Sequence, residues 1–196
     1  MKKIFFGLCA LALLTVSAQA ASFSIIGAGD LSGAAGTTGQ LQIQYDPAPG
    51  GATFADGSIR LGLNSSTSGV IKLTGATILE STARWGGSTQ VLGVSDNSIG
   101  QMNAFSVGNP GLPANGTSIY ATVDYAFVAD GSTTLSLFTQ GEDPLYDGAQ
   151  GDVSGSVSLL SATLKNTTGT PVIPEPATLA MVGTALFGLV LRRRNG

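Results

Sequence analysis

Ile119 to Thr139 reads IYATVDYAFVADGSTTLSLFT, and its alternation sets the class of the fold. In an extended chain Ile119, Ala121, Val123, Tyr125 and Phe127 share one face, and Tyr120, Thr122, Asp124 and Ala126 share the other. A period of two over so many residues is a strand signal. Asp130-Gly131 is a hairpin-type turn, and Thr133 to Thr139 returns with Leu135 and Leu137 inward, so a β-hairpin is expected.

Working outward, the same pattern recurs in short pieces. Phe23 to Ile26 opens the body as a first strand. Leu41-Gln42-Ile43-Gln44-Tyr45 alternates cleanly, and Asp46-Pro47 ends it, because proline donates no ladder hydrogen bond. Ala55-Asp56-Gly57 is a turn signal, after which Ile59, Leu61 and Leu63 share a face with Arg60 opposite. Asn64 to Gly69 reads as a polar loop. Val70 to Leu73 and Thr77 to Leu79 read as two strands split by Gly75, followed by Thr82 to Gly87 around Trp85. Val91 to Val94 is a further strand, and Asp96 to Asn115 reads as a long connection holding Met102, Phe105 and Val107. Gly141 to Asp152 is an acidic loop, and Val153 to Leu164 is a last strand whose alternation slips at Leu159-Leu160, as a bulge would make it.

No stretch of the body keeps an apolar period of 3.6 over three turns. The expected class is all-β, a β-sandwich of about eight or nine strands, flanked by an N-terminal signal peptide and a C-terminal single transmembrane helix. The divisions are 1–20 signal peptide, 21–165 secreted β-sandwich, 166–173 linker and 174–196 sorting segment, with the helix at 177–191.

Charge narrows the function. Four basic residues of the body, Arg60, Lys72, Arg84 and Lys165, stand against eleven acids, a net charge of −7. Such a surface repels a phosphate backbone, so no nucleic-acid partner is expected. The chain has no histidine and a single cysteine, Cys9, inside the first apolar run, which removes the usual general base and thiol chemistry from the body. No enzyme, cofactor or metal site is expected.

The ends are addresses. Lys2 and Lys3, an apolar run from Ile4 to Leu14, and Ala18-Gln19-Ala20 have the layout of a secretory signal peptide, with Ala18, Ala20 and Ala21 forming the cleavage site after Ala20. Pro171 to Gly196 reads PVIPEPATLAMVGTALFGLVLRRRNG. Its apolar segment Ala177 to Leu191 extends roughly 22 Å as a helix, short of the ~30 Å hydrocarbon core. Arg192, Arg193 and Arg194 act as a stop-transfer cluster that stays in the cytoplasm and leaves the body outside. Glu175 between Pro174 and Pro176 has no folding rationale.

Pro174-Glu175-Pro176, the apolar run with Gly183 and Gly188, and the terminal arginines resemble the PEP-CTERM sorting signal of Gram-negative bacteria. The resemblance covers about Val172 to Gly196. It implies recognition of Pro174, Glu175 and Pro176 by an exosortase-type processing enzyme, a transient stay in the inner membrane through the C-terminal helix, and removal of the tail. It further implies delivery to the cell surface or extracellular matrix, with extracellular polysaccharide as a candidate partner. Three phrases of the body, Leu41 to Pro47, Ala121 to Phe127 with Thr133-Thr134-Leu135, and Gly155-Ser156-Val157, resemble strands of cohesin-like and carbohydrate-binding β-sandwiches.

Two groups in the body merit weighing for chemistry. Glu142, Asp143, Asp147 and Asp152 suit a hard cation, but their spacing is not that of an EF-hand, and a solvated acidic loop is expected. Among Tyr45, Trp85, Tyr120, Tyr125 and Tyr146, Tyr120 is the best sugar-stacking candidate, since it opposes the apolar face of its strand. Asn64-Ser65-Ser66, Asn115-Gly116-Thr117 and Asn166-Thr167-Thr168 fit the N-glycan pattern by coincidence of composition. The expected function is an exported, surface-sorted structural or adhesive matrix protein, the alternative a carbohydrate-binding or cohesin-like interaction module.

Overall fold

A computed structural model describes residues 20–47, 54, 57–79, 89–105, 117–141 and 145–168. The sorting tail, Ala18, Trp85, Glu142 and Asp143 lie outside these residues.

Thirteen strands are present among the described residues: β1 Ala21–Ile26, β2 Asp30–Leu31, β3 Thr38–Asp46, β4 Gly57–Ser65, β5 Ile71–Ile78, β6 Thr89–Ser95, β7 Ser98–Phe105, β8 Ser118–Phe127, β9 Gly131–Thr139, β10 Leu145–Asp147, β11 Gly151–Asp152, β12 Val157–Leu159 and β13 Ala162–Asn166. The count exceeds eight or nine because β2, β10, β11 and β12, of two or three residues each, extend sheets built from the longer strands. One sheet has the order β12-β1-β3-β8-β5. The other has eight strands in the order β11-β10-β4-β9-β13-β2, with β7 also pairing β4 and β6 pairing β7. One flank of β4 carries β10 beside residues 57–59 and β9 beside 61–65, and the other flank carries β7.

Alternation drives the two sheets together. Leu41, Ile43 and Tyr45 of β3 meet Ile59, Leu61 and Leu63 of β4 in one core, all with no exposed surface. Phe23 lies at its centre, with its ring centroid 5.0 Å from Tyr45 and 5.7 Å from Tyr120. Phe54 closes this cluster, 5.7 Å from Tyr45 and edge-on to it, with a φ of 49° that only tight packing sustains in a bulky residue.

Five expectations are corrected. First, β8 and β9 do not form a hairpin: β8 pairs β3 and β5, whereas β9 pairs β4 and β13. The turn at Asp130-Gly131 carries the chain from one sheet to the other. Val128 and Ala129 both donate their N–H to Val70 O (2.9 and 3.4 Å). Second, Asp96 to Asn115 is not all loop. Ser98–Phe105 is β7, Met102 is fully buried, and Asp96 and Asn97 are only the turn joining it to β6. That turn ties both sheets together, through Leu73 N–H to Asp96 O (2.9 Å), Ser65 N–H to Asn97 O (2.8 Å) and the Lys72–Asp96 ion pair (3.1 Å).

Third, Gly75 does not split a strand; β5 is continuous and bulges between Leu73 and Gly75. Fourth, the slip at Leu159-Leu160 is not a bulge within one strand. There β12, parallel to β1, ends and β13 begins in the other sheet, leaving Leu160 47% exposed at the crossing. Fifth, Asn64 and Ser65 belong to β4 rather than to the loop, with Ser65 buried and its Oγ 2.7 Å from Thr133 Oγ1.

The body also runs past residue 165. Asn166 is 1% exposed; it accepts from Gly33 N–H (3.0 Å) and donates to Gly33 O and Ala129 O (both 3.1 Å). A buried amide held this way offers no acceptor for a glycan. Thr168 then donates its N–H to Asp130 (2.9 Å) and its hydroxyl to the same carboxyl oxygen.

Candidate binding face

The aromatic candidates separate by ladder register. Tyr120 is fully buried and donates to Met102 O (3.2 Å), so it presents no stacking surface. The reason is a bulge in β8. Ala121 pairs Ile43 and Ile119 pairs Gln44, so Tyr120 is the extra residue and turns inward. Burial pushes its hydroxyl pKa far above the ordinary value. Tyr45 is buried as well, its pKa pushed up to about 12 by desolvation and by the carboxylates of Asp147 and Asp46. The Tyr125 ring lies over Gly39, where a side chain would collide with it, and burial raises its pKa too. Only Tyr146 of the described candidates stands half-buried on an outward face, between the inward Leu145 and Asp147.

The described carboxylates of the acidic loop, Asp147 and Asp152, are held by donors of their own chain. Asp147 is 2% exposed and accepts from Ala149 N–H and Gln150 Nε2 (both 2.9 Å), an Asx turn that shapes the link from β10 to β11. Asp152 accepts from Ser154 N–H and Oγ (2.9 and 2.6 Å), donors that hold its carboxyl below the usual range. No group of three metal-ligating side chains occurs among the described residues.

What sequence reasoning missed is the outer face of the eight-stranded sheet. Tyr146, Ser58 and Phe105 form one row across β10, β4 and β7. Arg60 and Asn103 form the next row on β4 and β7, continued by Gln90 on β6. Beyond it the Cζ end of the Phe138 ring covers Gly62, in the space a Cβ there would need. Gly141 makes room for Arg60 in the same way: a Cβ there would stand 2.8 Å from Nη1. Phe105 is 44% exposed. One signal was legible: Phe138 is an aromatic at an outward position, next to Leu137 and out of step with Leu135.

Ala21, expected just after the peptidase cut, is the first residue of β1 and 2% exposed. Pro174, Glu175, Pro176 and the arginine cluster lie outside the described residues, six positions and more beyond the Thr168 clamp. Among the described residues no helix is long and apolar enough to cross a membrane.

Comparison with solved structures supports the fold. The cohesin module of a family 33 glycoside hydrolase from Clostridium perfringens superposes with a TM-score of 0.54 at 12% identity, covering 76% of this chain and 97% of its own. A type III cohesin from the ScaE cell-surface anchoring scaffoldin of Ruminococcus flavefaciens gives 0.54 at 10% identity, covering 75% and 87%. A type I cohesin–dockerin complex of Clostridium thermocellum gives 0.53 at 10% identity, covering 76% and 100%. The body is therefore a cohesin-like β-sandwich in architecture. No curated protein matches the sequence. Residues 172–194 match the family model of the PEP-CTERM protein-sorting motif, so behind its cohesin-like body this chain carries a sorting signal that supports export and exosortase processing.

Proposed function

We propose that the chain is an exported protein, carried to the cell surface by its PEP-CTERM motif, whose β-sandwich serves as a non-catalytic structural or adhesive component of the extracellular matrix. The match at residues 172–194 carries this reading. In it, Pro174, Glu175 and Pro176 are the residues an exosortase recognises, Arg192 to Arg194 hold the tail in the inner membrane until the cut, and Ala18, Ala20 and Ala21 are read by signal peptidase. A chain without histidine, with a core filled by apolar side chains and tyrosines, supports the non-catalytic part.

Mass spectrometry of the protein from its native host tests both ends at once. The expected species starts at Ala21 and lacks Arg192 to Arg194; intact Arg194 on most molecules overturns the reading. Glu175→Ala is expected to leave the tail uncut.

A second reading, a protein-binding module, is favoured by the cohesin–dockerin complex among the similar structures. It requires that the tail-free protein retain a saturable protein ligand.

A further inference from the structure

Among the described residues, the strands that end the two sheets are guarded against further pairing, with one exception. β2 and β11 have two residues each and β12 has three, too few to template another strand. β5 has eight, but it carries Lys72 and bulges between Leu73 and Gly75. β6, Thr89-Gln90-Val91-Leu92-Gly93-Val94-Ser95, ends the eight-stranded sheet beyond β7 and holds neither a charge nor a proline. Its register with β7 is unbroken from Thr89 to Leu92, and Gly93, with a φ of 66°, interrupts it beyond.

The apolar side chains of this edge are bare. Leu92, opposite Gln101, is 46% exposed, and Val94, opposite the buried Ile99, is 42% exposed. The facing sheet leaves the margin open. Leu73 N–H reaches Asp96 O just past the end of β6, but farther along Ala76, Thr77 and Ile78 of β5 stand across an open groove from Thr89, Gln90 and Val91. Backbone groups that β6 turns away from β7 suit pairing with another extended strand.

Charge selects the occupant. On a body of net charge −7, β6 and β7 hold no ionisable side chain, and β4 behind them holds only Arg60. Asp96, which follows β6, is paired with Lys72 (3.1 Å). The other described carboxylates stand on β2, β3, β8, β10, β11 and in the turn at Asp130. A second acidic copy can therefore approach along this margin without setting carboxylate against carboxylate, whereas a cationic partner finds no free anion on β6 to hold it. Edge pairing is also self-complementary. A two-fold axis beside Val91 and Leu92 runs the two strands antiparallel, an isologous contact that closes at two copies.

We propose that β6 is a self-association edge, at which two copies of this chain pair β6 with β6 and their eight-stranded sheets run on as one. The two Leu92 side chains then lie on one face, opposite or diagonal, within about 8 Å. The inference goes beyond the sorting reading and does not depend on it. One short strand makes a small interface, so the dimer is reversible. The acidic bodies still repel at longer range, so added salt strengthens the pairing, the reverse of a contact held by ion pairs.

Sedimentation of the full chain in detergent, with Cys9→Ser in every variant, tests the edge. The expected result is a monomer–dimer equilibrium that tightens as salt rises from about 50 mM to about 500 mM and weakens about tenfold in Leu92→Lys. Leu160→Lys, the same change at a comparably exposed leucine where β12 gives way to β13, leaves the equilibrium unchanged. A short bismaleimide is expected to join copies carrying Leu92→Cys and not copies carrying Leu160→Cys, and this arm stands even where Leu92→Lys fails to fold. A monomer at every concentration overturns the inference. So does association that Leu160→Lys weakens equally, or cross-linking equal at the two cysteines. Association untouched by Leu92→Lys overturns it as well, and assigns the contact to the apolar ends of the chain.

Discussion

Single residues show what an alternating pattern conveys and where it fails. Leu41, Ile43, Tyr45, Ile59, Leu61 and Leu63 face inward as their spacing requires, because a strand with one apolar face has one way to bury it. Tyr120 fails because one extra residue in β8 inverts its side, and nothing in the local sequence marks that bulge. Tyr120→Ala is expected to cost about 3–5 kcal/mol and Tyr120→Phe about 1 kcal/mol in urea unfolding, as befits a core ring with one hydrogen bond. The buried tyrosines also set a limit in alkali. Tyr45 has its pKa raised to about 12, and Tyr120 and Tyr125 shift the same way, so the folded state keeps protons that the unfolded state loses above about 10. The stability they confer is complete below pH ~10 and is lost as pH rises through the folded values. Tyrosinate absorbance and circular dichroism should therefore change together above pH ~10; tyrosinate formation completed before unfolding begins would contradict this. Asp130 has the opposite sign. The donors of Thr168 hold its pKa down, so its contribution is present above the ordinary carboxylate value and fades as acid protonates it.

At the scale of elements, composition and period identified most strands but not their partners. Asp130-Gly131 reads as a hairpin, yet an inward-facing strand buries Leu135 and Leu137 equally well from the same sheet or from the facing one. The change of sheet after Leu159 looks like a bulge for the same reason. β7 was hidden because Gly100, Gln101 and Asn103 dilute its apolar residues, although Ile99, Met102 and Ala104 alternate around a bulge opposite Gly62. Met102→Ala is expected to destabilise by about 2–5 kcal/mol, a cost a loop residue would not impose. Gly57→Ala tests a different junction. Its Cβ would meet the backbone carbonyl of Tyr146, so β10 must shift away from β4, at a cost of about 1–3 kcal/mol and with Tyr146 displaced from the outer face. An unchanged melting temperature in Gly57→Ala would place β10 elsewhere.

Across the whole molecule, the tail was legible because a sorting signal is read as sequence, in order and spacing, while the outer face of the eight-stranded sheet was not, because it is assembled from β4, β7, β9 and β10. The fold is closed by its ends. Asn166→Ala is expected to cost roughly 3 kcal/mol, since it leaves the buried N–H and carbonyl of Gly33 without their partners and Ala129 O without its donor. Truncation after Thr168 should leave the melting temperature of the body within a few degrees. Truncation before β13 should abolish folding, since β13 holds β9 and β2 together. One consequence concerns the order of events during export. β1 pairs in parallel with β12, and Gly33 waits for Asn166, 133 residues away, so the earliest part of the chain to emerge cannot complete its contacts until nearly the last part has followed. On the export route proposed above, the sandwich therefore shuts only once Thr168 has followed the rest of the body.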